Sequence, residues 1–327
     1  MPVPPTSSAS SAAPSTAAWR AWLDRRPALL LIFTTLVWGS NVVAARLAVG
    51  HVSPMMLTTA RWSVACIALW LVARRQVVAA WPLLRPRWRY LTAMGVAGFT
   101  GFNALYYTAA HHTSAVNLAI IQGVVPVLVL LGAAAVFRLR VSVLQALGVA
   151  LTLAGVALVA ARGQWSVLRA LDLNVGDVGV LAASVLYAGY TLGLRAKPAV
   201  SPLGFFAAVA GVAALASLPL LAWEVAAGDF FWPTPRGWWI IVYVGLLPSF
   251  VSQITYIRAV ELIGPARAGV FYNLTPVFGP ALAVLLLGEP LRPYHVLGLA
   301  MVLGGIAVAE RLGANAHPRG SAPTANE

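Results

Sequence analysis

Asn41 and its neighbours place hydrogen-bonding groups in the middle of a stretch that is otherwise suited to hydrocarbon. The segment TLVWGSNVVAARLA begins at Thr35 and brings Gly39, Ser40 and Asn41 together near its centre. A polar side chain that faces lipid is costly, so these groups are expected to point towards another helix or a water-filled cavity. Packing is the favoured role of Gly39 and Ser40. For Asn41, packing and hydrogen bonding to a solute in a cavity remain equal alternatives.

Arg61 is the charged side chain whose position most clearly indicates a function. It lies seven residues into an apolar stretch, which corresponds to about 10 Å of helix, and its insertion costs up to about 3 kcal/mol. A structural role would have it extend outward or pair with Glu289 or Asp177. A recognition role would have it bind the carboxylate of a substrate. The sequence leaves both roles open.

Aromatic and amide side chains recur in other apolar stretches, often three or four residues apart, so that they share one helix face. Some of them precede Pro126 and Pro276 by about one turn, where a proline frees a backbone carbonyl to meet protein, water or ligand. We expect these groups to converge on one substrate site. The candidate substrate-binding residues are Trp38, Asn41, Arg61, Asn103, Tyr106, Tyr107, Gln122, Tyr187, Tyr190, Gln253, Tyr256, Tyr272 and Asn273.

The pattern excludes most kinds of bond-breaking chemistry. His111 and His112 are adjacent, and adjacent helical residues do not face each other. We find no metal-ligand spacing, phosphate-binding glycine loop or nucleophile constellation, so neither a cofactor nor a metal is expected, and a membrane-embedded enzyme is a remote alternative. The central parts of the apolar stretches also lack Asp and Glu. We therefore expect a site for neutral or zwitterionic amphipathic solutes, with downhill export and no evident proton carrier.

The elements that must position these residues are membrane-spanning helices. The chain is 60% hydrophobic and 9% charged, with apolar blocks about as long as the 20 residues that a spanning helix needs. Its single cysteine excludes a disulfide framework, and its net charge of +13 is spread between the blocks instead of forming a nucleic-acid-binding face. We predict an all-α integral membrane fold of ten helices, with nine or eleven as the alternatives: 28–48, 55–73, 89–109, 115–137, 143–161, 176–194, 204–223, 238–258, 265–287 and 293–310.

The distribution of Arg and Lys predicts the orientation of these helices, because short cytoplasmic loops retain cations. With the N-terminus inside, the predicted cytoplasmic segments hold 15 cations and the predicted outer segments hold four. We therefore expect an integral protein of a bacterial cytoplasmic membrane with both termini in the cytoplasm.

An internal repeat appears when the chain is shifted by 150 residues. Trp88 then matches Trp238, Tyr106 matches Tyr256, and Pro126 matches Pro276 without a gap, together with several glycine pairs. Each half holds five predicted helices, an odd number, so the halves would have opposite orientations. Inverted repeats are typical of alternating-access transporters with a substrate site between the halves. The predicted units are a disordered tail over 1–27, repeats over 28–162 and 173–310, and a disordered tail over 311–327.

Four stretches resemble the EamA-like branch of the drug/metabolite transporter superfamily over about residues 28 to 310: LVWGSNVVAARLA, SPMMLTTARWSVA with Arg61, ALYYTAAHHTSAVNLAIIQGVVPVLVLL, and NLTPVFGPALAVLLLGEPLRPYHVLGLAMVLGGIAVA. One departure is that Arg138 and Leu139 occupy the places of Gly288 and Glu289. The resemblance implies a ten-helix carrier, in the simplest case an exporter, of amino acids and related metabolites. A carrier of nucleotide sugars or other phosphorylated metabolites is the alternative, although it would need several cations in its cavity. The expected partners are a small-molecule substrate and membrane lipid, with no nucleic acid, and a monomer is expected, with a dimer as the alternative.

Overall fold

The computed structural model describes residues 22–48, 50–110, 112–113, 121–138, 141–170, 174–287 and 291–309. Throughout these residues the regular structure is helical, without a β-strand. We number the main helices in chain order, treating 88–110, 235–263 and 265–287 each as one helix of mixed type. They are α1 (Pro27–Ala48), α2 (Pro54–Leu84), α3 (88–110), α4 (Val125–Phe137), α5 (Val143–Ala160), α6 (Val175–Gly193), α7 (Pro202–Ala227), α8 (235–263), α9 (265–287) and α10 (Pro293–Ala307).

The sequence sets the helix boundaries through side-chain caps and prolines. Ser142 and Gln145 form a reciprocal capping box at the start of α5, and Asn174 and Asp177 do the same at the start of α6. Proline occupies one of the first two positions of several helices, where its missing N–H costs no intrahelical bond. At the end of α7, Gly228 adopts a left-handed conformation with φ of 81°. These signals explain why the predicted and observed boundaries differ by only a few residues in most helices.

Helix α2 continues beyond residue 73, the predicted end of its span, and bends at that residue. The span was predicted over 55–73, and Ala73 has non-helical torsion angles of −126° and 18° inside α2. The chain then remains helical to Leu84, with Arg74 and Arg75 exposed at the start of this extension. The bend therefore separates the apolar part of α2 from a shorter basic part.

Helices α3 and α8 each contain a π-helical stretch, over Val96–Gly101 and Gly245–Val251. The two stretches nearly coincide under the shift of 150 residues. A π-helical turn admits an extra residue and is frequent at functional sites. A predicted substrate-binding residue lies two residues after the end of each stretch, Asn103 in α3 and Gln253 in α8. The two halves therefore share an irregular feature at equivalent positions.

Helix α9 is also irregular, because Phe271–Leu274 forms a 3-10 helix just before Pro276. On the equivalent helix of the first half, residues 123–124 form a turn immediately before α4, which begins at Val125 and has Pro126 in its first turn. This agrees with the expectation that the two prolines would disturb the helix one turn earlier. The first part of that predicted span, 115–120, lies outside the described residues.

Packing pairs each helix with helices of the other half. Helix α2 lies along α7, α5 lies along α10, α3 contacts α6, and α1 contacts α8 and α9. The α5–α10 pair is especially close at two glycine contacts: Gly148 lies against Gly305, and Gly155 lies against Gly298. Under the shift of 150 residues each contact becomes the other. Small residues at such crossings let helices approach closely within a membrane.

The outward faces of the bundle are apolar. Leu71 is 77% exposed and Leu285 is 78% exposed, and many other large hydrophobic side chains lie on the surface. Five helical segments of the described chain are long and apolar enough to cross a membrane: Pro54–Tyr106, which contains α2 and most of α3, Val143–Ala160, Val175–Ala196, Pro202–Ala227 and Pro235–Ile263. An exposed apolar surface of this extent is suited to contact with lipid.

Two expectations change at the helix ends. The predicted N-terminal tail over 1–27 is described only from Trp22, where a helical turn leads to Asp24, which pairs with Arg258 at 2.7 Å. The tail over 311–327 lies outside the described residues. The predicted span 204–223 ends one residue before Glu224. In the structure α7 continues to Ala227, and Glu224 is buried. Its carboxylate accepts bonds from the Ser53 hydroxyl and from two backbone N–H groups of the first turn of α2.

Candidate functional site

A cavity of about 120 Å³ lies between the two halves of the bundle. Its walls come from α1, α2, α3, α6, α8 and α9, with one further side chain from residues just before α4. Polar groups are few and aromatic rings are many, which is typical of small-molecule sites. The lining residues are Trp38, Asn41, Arg61, Trp62, Gly98, Phe99, Phe102, Asn103, Tyr106, Gln122, Tyr187, Gln253, Tyr272 and Thr275.

Trp38 forms the centre of an aromatic cluster in this cavity. Its ring centroid lies 5.1 Å from that of Tyr256, 5.8 Å from that of Tyr272 and 6.0 Å from that of Tyr187. Its indole N–H donates to the carbonyl oxygen of Pro248 at 3.3 Å. The rings thus join α1 to three helices of the second half. Such a cluster can bind apolar groups and, through its π-faces, an ammonium group.

Arg61 is buried and held in a defined orientation. Its Nε donates to the Ser249 hydroxyl at 2.8 Å, and that hydroxyl donates to the Val244 carbonyl five residues earlier. Its guanidinium lies 5.4 Å from the centroid of the Trp62 ring. The Ser249 hydroxyl therefore links the Val244 carbonyl, just before the π-helical stretch of α8, to Arg61. Asp177, one of its predicted partners, accepts bonds from Thr113 and from the Asn174 backbone, and the other, Glu289, lies outside the described residues.

Two pairs of residues that match under the shift of 150 residues lie in the cavity wall. Gln122 donates through Nε2 to the Tyr272 hydroxyl at 3.2 Å, and these residues are 150 positions apart. Asn103 and Gln253, also 150 positions apart, both line the cavity. The hydrogen bond between Gln122 and Tyr272 joins two positions that match under the shift of 150 residues, and both of them line the cavity.

Buried polar atoms in the cavity wall that have no hydrogen-bond partner among the described residues include Trp62 Nε1, Gln253 Oε1 and Thr275 Oγ1. Buried polar atoms in native proteins usually have a partner, either protein or water. Together they offer an N–H donor, a carbonyl acceptor and a hydroxyl. The described chain therefore leaves the hydrogen-bonding capacity of these atoms unused.

The structure brings together nine of the thirteen predicted residues in the cavity wall. Tyr256 lies behind the wall, with its hydroxyl 3.0 Å from the Thr191 hydroxyl. Tyr190 also lies behind the cavity wall, where it packs against Gly98 and Phe99. The Asn273 amide donates to Thr152 of α5 at 2.7 Å, outside the lining. The side chain of Tyr107 lies outside the described residues. The nine lining residues are Trp38, Asn41, Arg61, Asn103, Tyr106, Gln122, Tyr187, Gln253 and Tyr272.

Five lining residues were not predicted: Trp62, Gly98, Phe99, Phe102 and Thr275. Trp62 and Phe99 stack with centroids 4.3 Å apart, and Phe102 stacks on Tyr106 at 5.7 Å. The spacing of Phe99 and Phe102 from Asn103 and Tyr106 could have indicated a shared helix face. For Trp62 and Thr275 the sequence offered no comparable spacing signal, because the residues around each of them are of several types.

The charge in the cavity comes from Arg61. Among the described lining residues it is the only permanent cation, and none is acidic. The described chain also holds no group of three His, Cys, Asp or Glu side chains that could bind a metal ion. The arrangement can therefore bind a carboxylate at Arg61 and an apolar or ammonium group at the aromatic rings.

Comparison with known proteins identifies the family. The EamA-like transporter family model matches this chain twice, over residues 25–161 and 174–310. A probable terminal-alkyne amino-acid exporter of Streptantibioticus cattleyicolor is 28% identical over 86% of this chain and 92% of its own length. The aromatic amino acid exporter YddG of Ancylobacter novellus is 22% identical over 89% of this chain and 99% of its own length.

A solved crystal structure shares the fold, with a TM-score of 0.76 and 18% identity over 89% of this chain and 99% of that chain. The family match and the apolar helices together make this an integral membrane transporter. The chain belongs to the EamA-like transporter family.

Proposed function

We propose that this protein is an alternating-access carrier, in the simplest case an exporter, of small zwitterionic or neutral amphipathic metabolites such as amino acids. The observation that carries the proposal is one cavity, between the two halves, that holds a buried arginine and an aromatic cluster. A zwitterionic amino acid presents a carboxylate, an ammonium group and a side chain. Arg61 suits the carboxylate, and the rings around Trp38 suit the other two.

The mechanism would rest on ten spanning helices arranged as two inverted repeats, 28–162 and 173–310. Contacts in the bundle support this arrangement, since α3 with α6 and α8 with α1 exchange places under the shift of 150 residues. In such carriers, one half moves against the other around a fixed site. The contacts of Trp38 with three helices of the second half would then change between the two states.

The names of two relatives support the substrate class, because both describe amino-acid exporters. The absence of acids among the described lining residues favours flux driven by the substrate gradient. Both termini would lie in the cytoplasm, and a monomer would contain the complete cavity. Cysteine-accessibility labelling of the two ends would test this orientation.

Counterflow of labelled L-phenylalanine and L-leucine into proteoliposomes tests the proposal. We expect uptake without a proton gradient. Arg61→Lys keeps the charge but loses the planar guanidinium. The apparent affinity for the substrate, measured by thermal stabilisation of the protein, should therefore fall roughly 10- to 100-fold. Arg169→Lys, at an exposed arginine outside the cavity, is the matched control and should behave as the unmodified protein.

Three results would count against the proposal. A loss of membrane abundance in Arg61→Lys would assign Arg61 a structural role, and strict dependence on a proton gradient would contradict downhill flux. Stabilisation by UDP-glucose, with none by amino acids, would support the alternative of nucleotide sugars. That alternative would require further cations beside Arg61, which the described cavity wall does not supply.

A further inference from the structure

Residues 74–89 form a basic surface between the bend in α2 and the first turn of α3. They are distant in sequence from the cavity-lining residues of the second half. This segment contains a helical extension, a short 3-10 helix Arg85–Arg87 and the start of α3. All of its cations are exposed. These cations are Arg74, Arg75, Arg85, Arg87 and Arg89.

One stripe of the extension fixes it to the bundle. Ala73, Ala80 and Leu84 are buried, with Val77 partly buried between them, and these positions follow one face of a helix. The fit is close, because a Cβ atom at Gly204 of α7 would lie 2.6 Å from the Ala80 Cβ. The segment is therefore held on the protein in one orientation, and its opposite side faces outward.

The neighbouring stripe, one residue further on, is exposed and amphipathic. It consists of Arg74, Val78, Trp81 and Arg85, which we call the Arg–Trp stripe. Trp81 is 54% exposed and Val78 is 56% exposed. An indole flanked by guanidinium groups is typical of helices that lie in the headgroup layer, where the ring sits among the lipid glycerols and the cations meet phosphate.

The surrounding protein offers little negative charge to these arginines. The sequence has no Asp or Glu from residue 25 to residue 171, while the same stretch contains 13 arginines. The ion pairs that the structure gives between described residues join Asp24 and Glu261 to Arg258 and Lys197. Residues 25–171 therefore offer no carboxylate that could neutralise the Arg–Trp stripe.

We propose that the Arg–Trp stripe is a binding site for the headgroups of anionic phospholipids. The guanidinium groups of Arg74 and Arg85 bind the lipid phosphate, and Trp81 inserts between the neighbouring headgroups. Bound lipid anchors the bend in α2 at the membrane surface that the orientation of the cations predicts to be cytoplasmic. This role is separate from solute recognition and does not depend on the identity of the transported solute.

Native mass spectrometry of the purified full chain in detergent tests the proposal directly. Phosphatidylglycerol and phosphatidylcholine are titrated separately, and the apparent affinity of each is measured. We expect preferential binding of phosphatidylglycerol. Since each cation near an anionic surface contributes about 1 kcal/mol, Arg74→Gln/Arg85→Gln should weaken this binding roughly 10- to 30-fold.

The matched control is Arg169→Gln/Arg236→Gln, which removes the same charge from two exposed positions elsewhere. It should retain phosphatidylglycerol binding, as should the charge-preserving variant Arg74→Lys/Arg85→Lys. Equal binding of the two lipids, or equal loss in the glutamine variant and its control, would overturn the proposal. Complete competition by inorganic phosphate at the concentration of the lipid would do so as well, because it would show a free-anion site instead of a lipid site.

Discussion

Replacing Gly305 with alanine should destabilise the protein by separating α5 from α10. A Cβ atom at this position would lie 2.5 Å from the carbonyl oxygen of Gly148, whereas ordinary contact begins at 3.4 Å. The same atom would lie 2.8 Å from the backbone nitrogen of Thr152. Both neighbours are backbone atoms, so neither can rotate away. The helices would have to move apart by nearly 1 Å at this crossing.

The expected cost follows from this displacement. Overpacking of a tight contact costs about 1 to 3 kcal/mol, and the higher helix propensity of alanine returns less than about 1 kcal/mol. We therefore expect a net loss of roughly 1 to 2 kcal/mol in the free energy of unfolding. Gly148→Ala should cost a similar amount. The double variant should cost less than the sum, because one separation of the helices relieves both clashes.

The free energies can be compared by equilibrium unfolding of the detergent-solubilised protein in increasing SDS. Gly189→Ala and Gly211→Ala are the matched controls, because no atom lies within 4 Å of a Cβ built at either position. Each control should leave stability unchanged or raise it by up to about 1 kcal/mol. Wild-type stability in Gly305→Ala, or strictly additive losses in the double variant, would refute the packing of α5 on α10 described above.

Three further outcomes are expected. Glu224→Gln should destabilise the protein by about 1 to 3 kcal/mol, since it weakens three bonds to the start of α2, and Ser53→Ala should cost less; equal losses measured by SDS unfolding would contradict this order. Arg258 holds the pKa of the Asp24 carboxyl below its usual range, mainly through hydrogen bonding, so this pair should stabilise the protein at neutral pH and lose that contribution as the pH falls below about 4. Because the pair is partly exposed, the contribution should stay under about 1 kcal/mol, and a thermal-shift titration of Asp24→Asn should show a flatter acid limb than the unmodified protein. Tyr272→Phe should cost about 1 kcal/mol by removing the acceptor of the Gln122 amide, and Gln122→Ala should add little to it in the same unfolding assay.

Local signals in the sequence were sufficient for the helices. Ser142 and Asn174 specify helix starts through their caps, and prolines mark others, so the predicted spans lie close to the observed helices. Ala73 illustrates both the reach and the limit of such local signals. The predicted span ended there because two arginines follow, and the structure bends at that residue but remains helical. The sequence could not predict that continuation, because the extension is held by contacts with Gly204 on a distant helix.

The candidate site was also only partly predictable, because it too depends on contacts between helices that are distant in the sequence. Arg61, Asn41 and Gln122 were identifiable because a polar group in an apolar helix is costly wherever it points. Asn273 carries the same signal, yet its amide bonds to Thr152 outside the cavity. The cost of burial can be calculated from one helix, but the direction of a side chain depends on which helix lies opposite.

The sequence by itself therefore determined the membrane class, the helix spans and the equivalence of positions 150 residues apart, since each depends on composition and on local or periodic patterns. Tertiary structure alone decided that Gln122 bonds to its own equivalent, Tyr272, and that Ser249, in the π-helical stretch of α8, accepts a bond from Arg61. It also decided that Glu224 caps a helix far away in the chain. These contacts depend on distances between helices that pack side by side, and only the assembled bundle sets those distances.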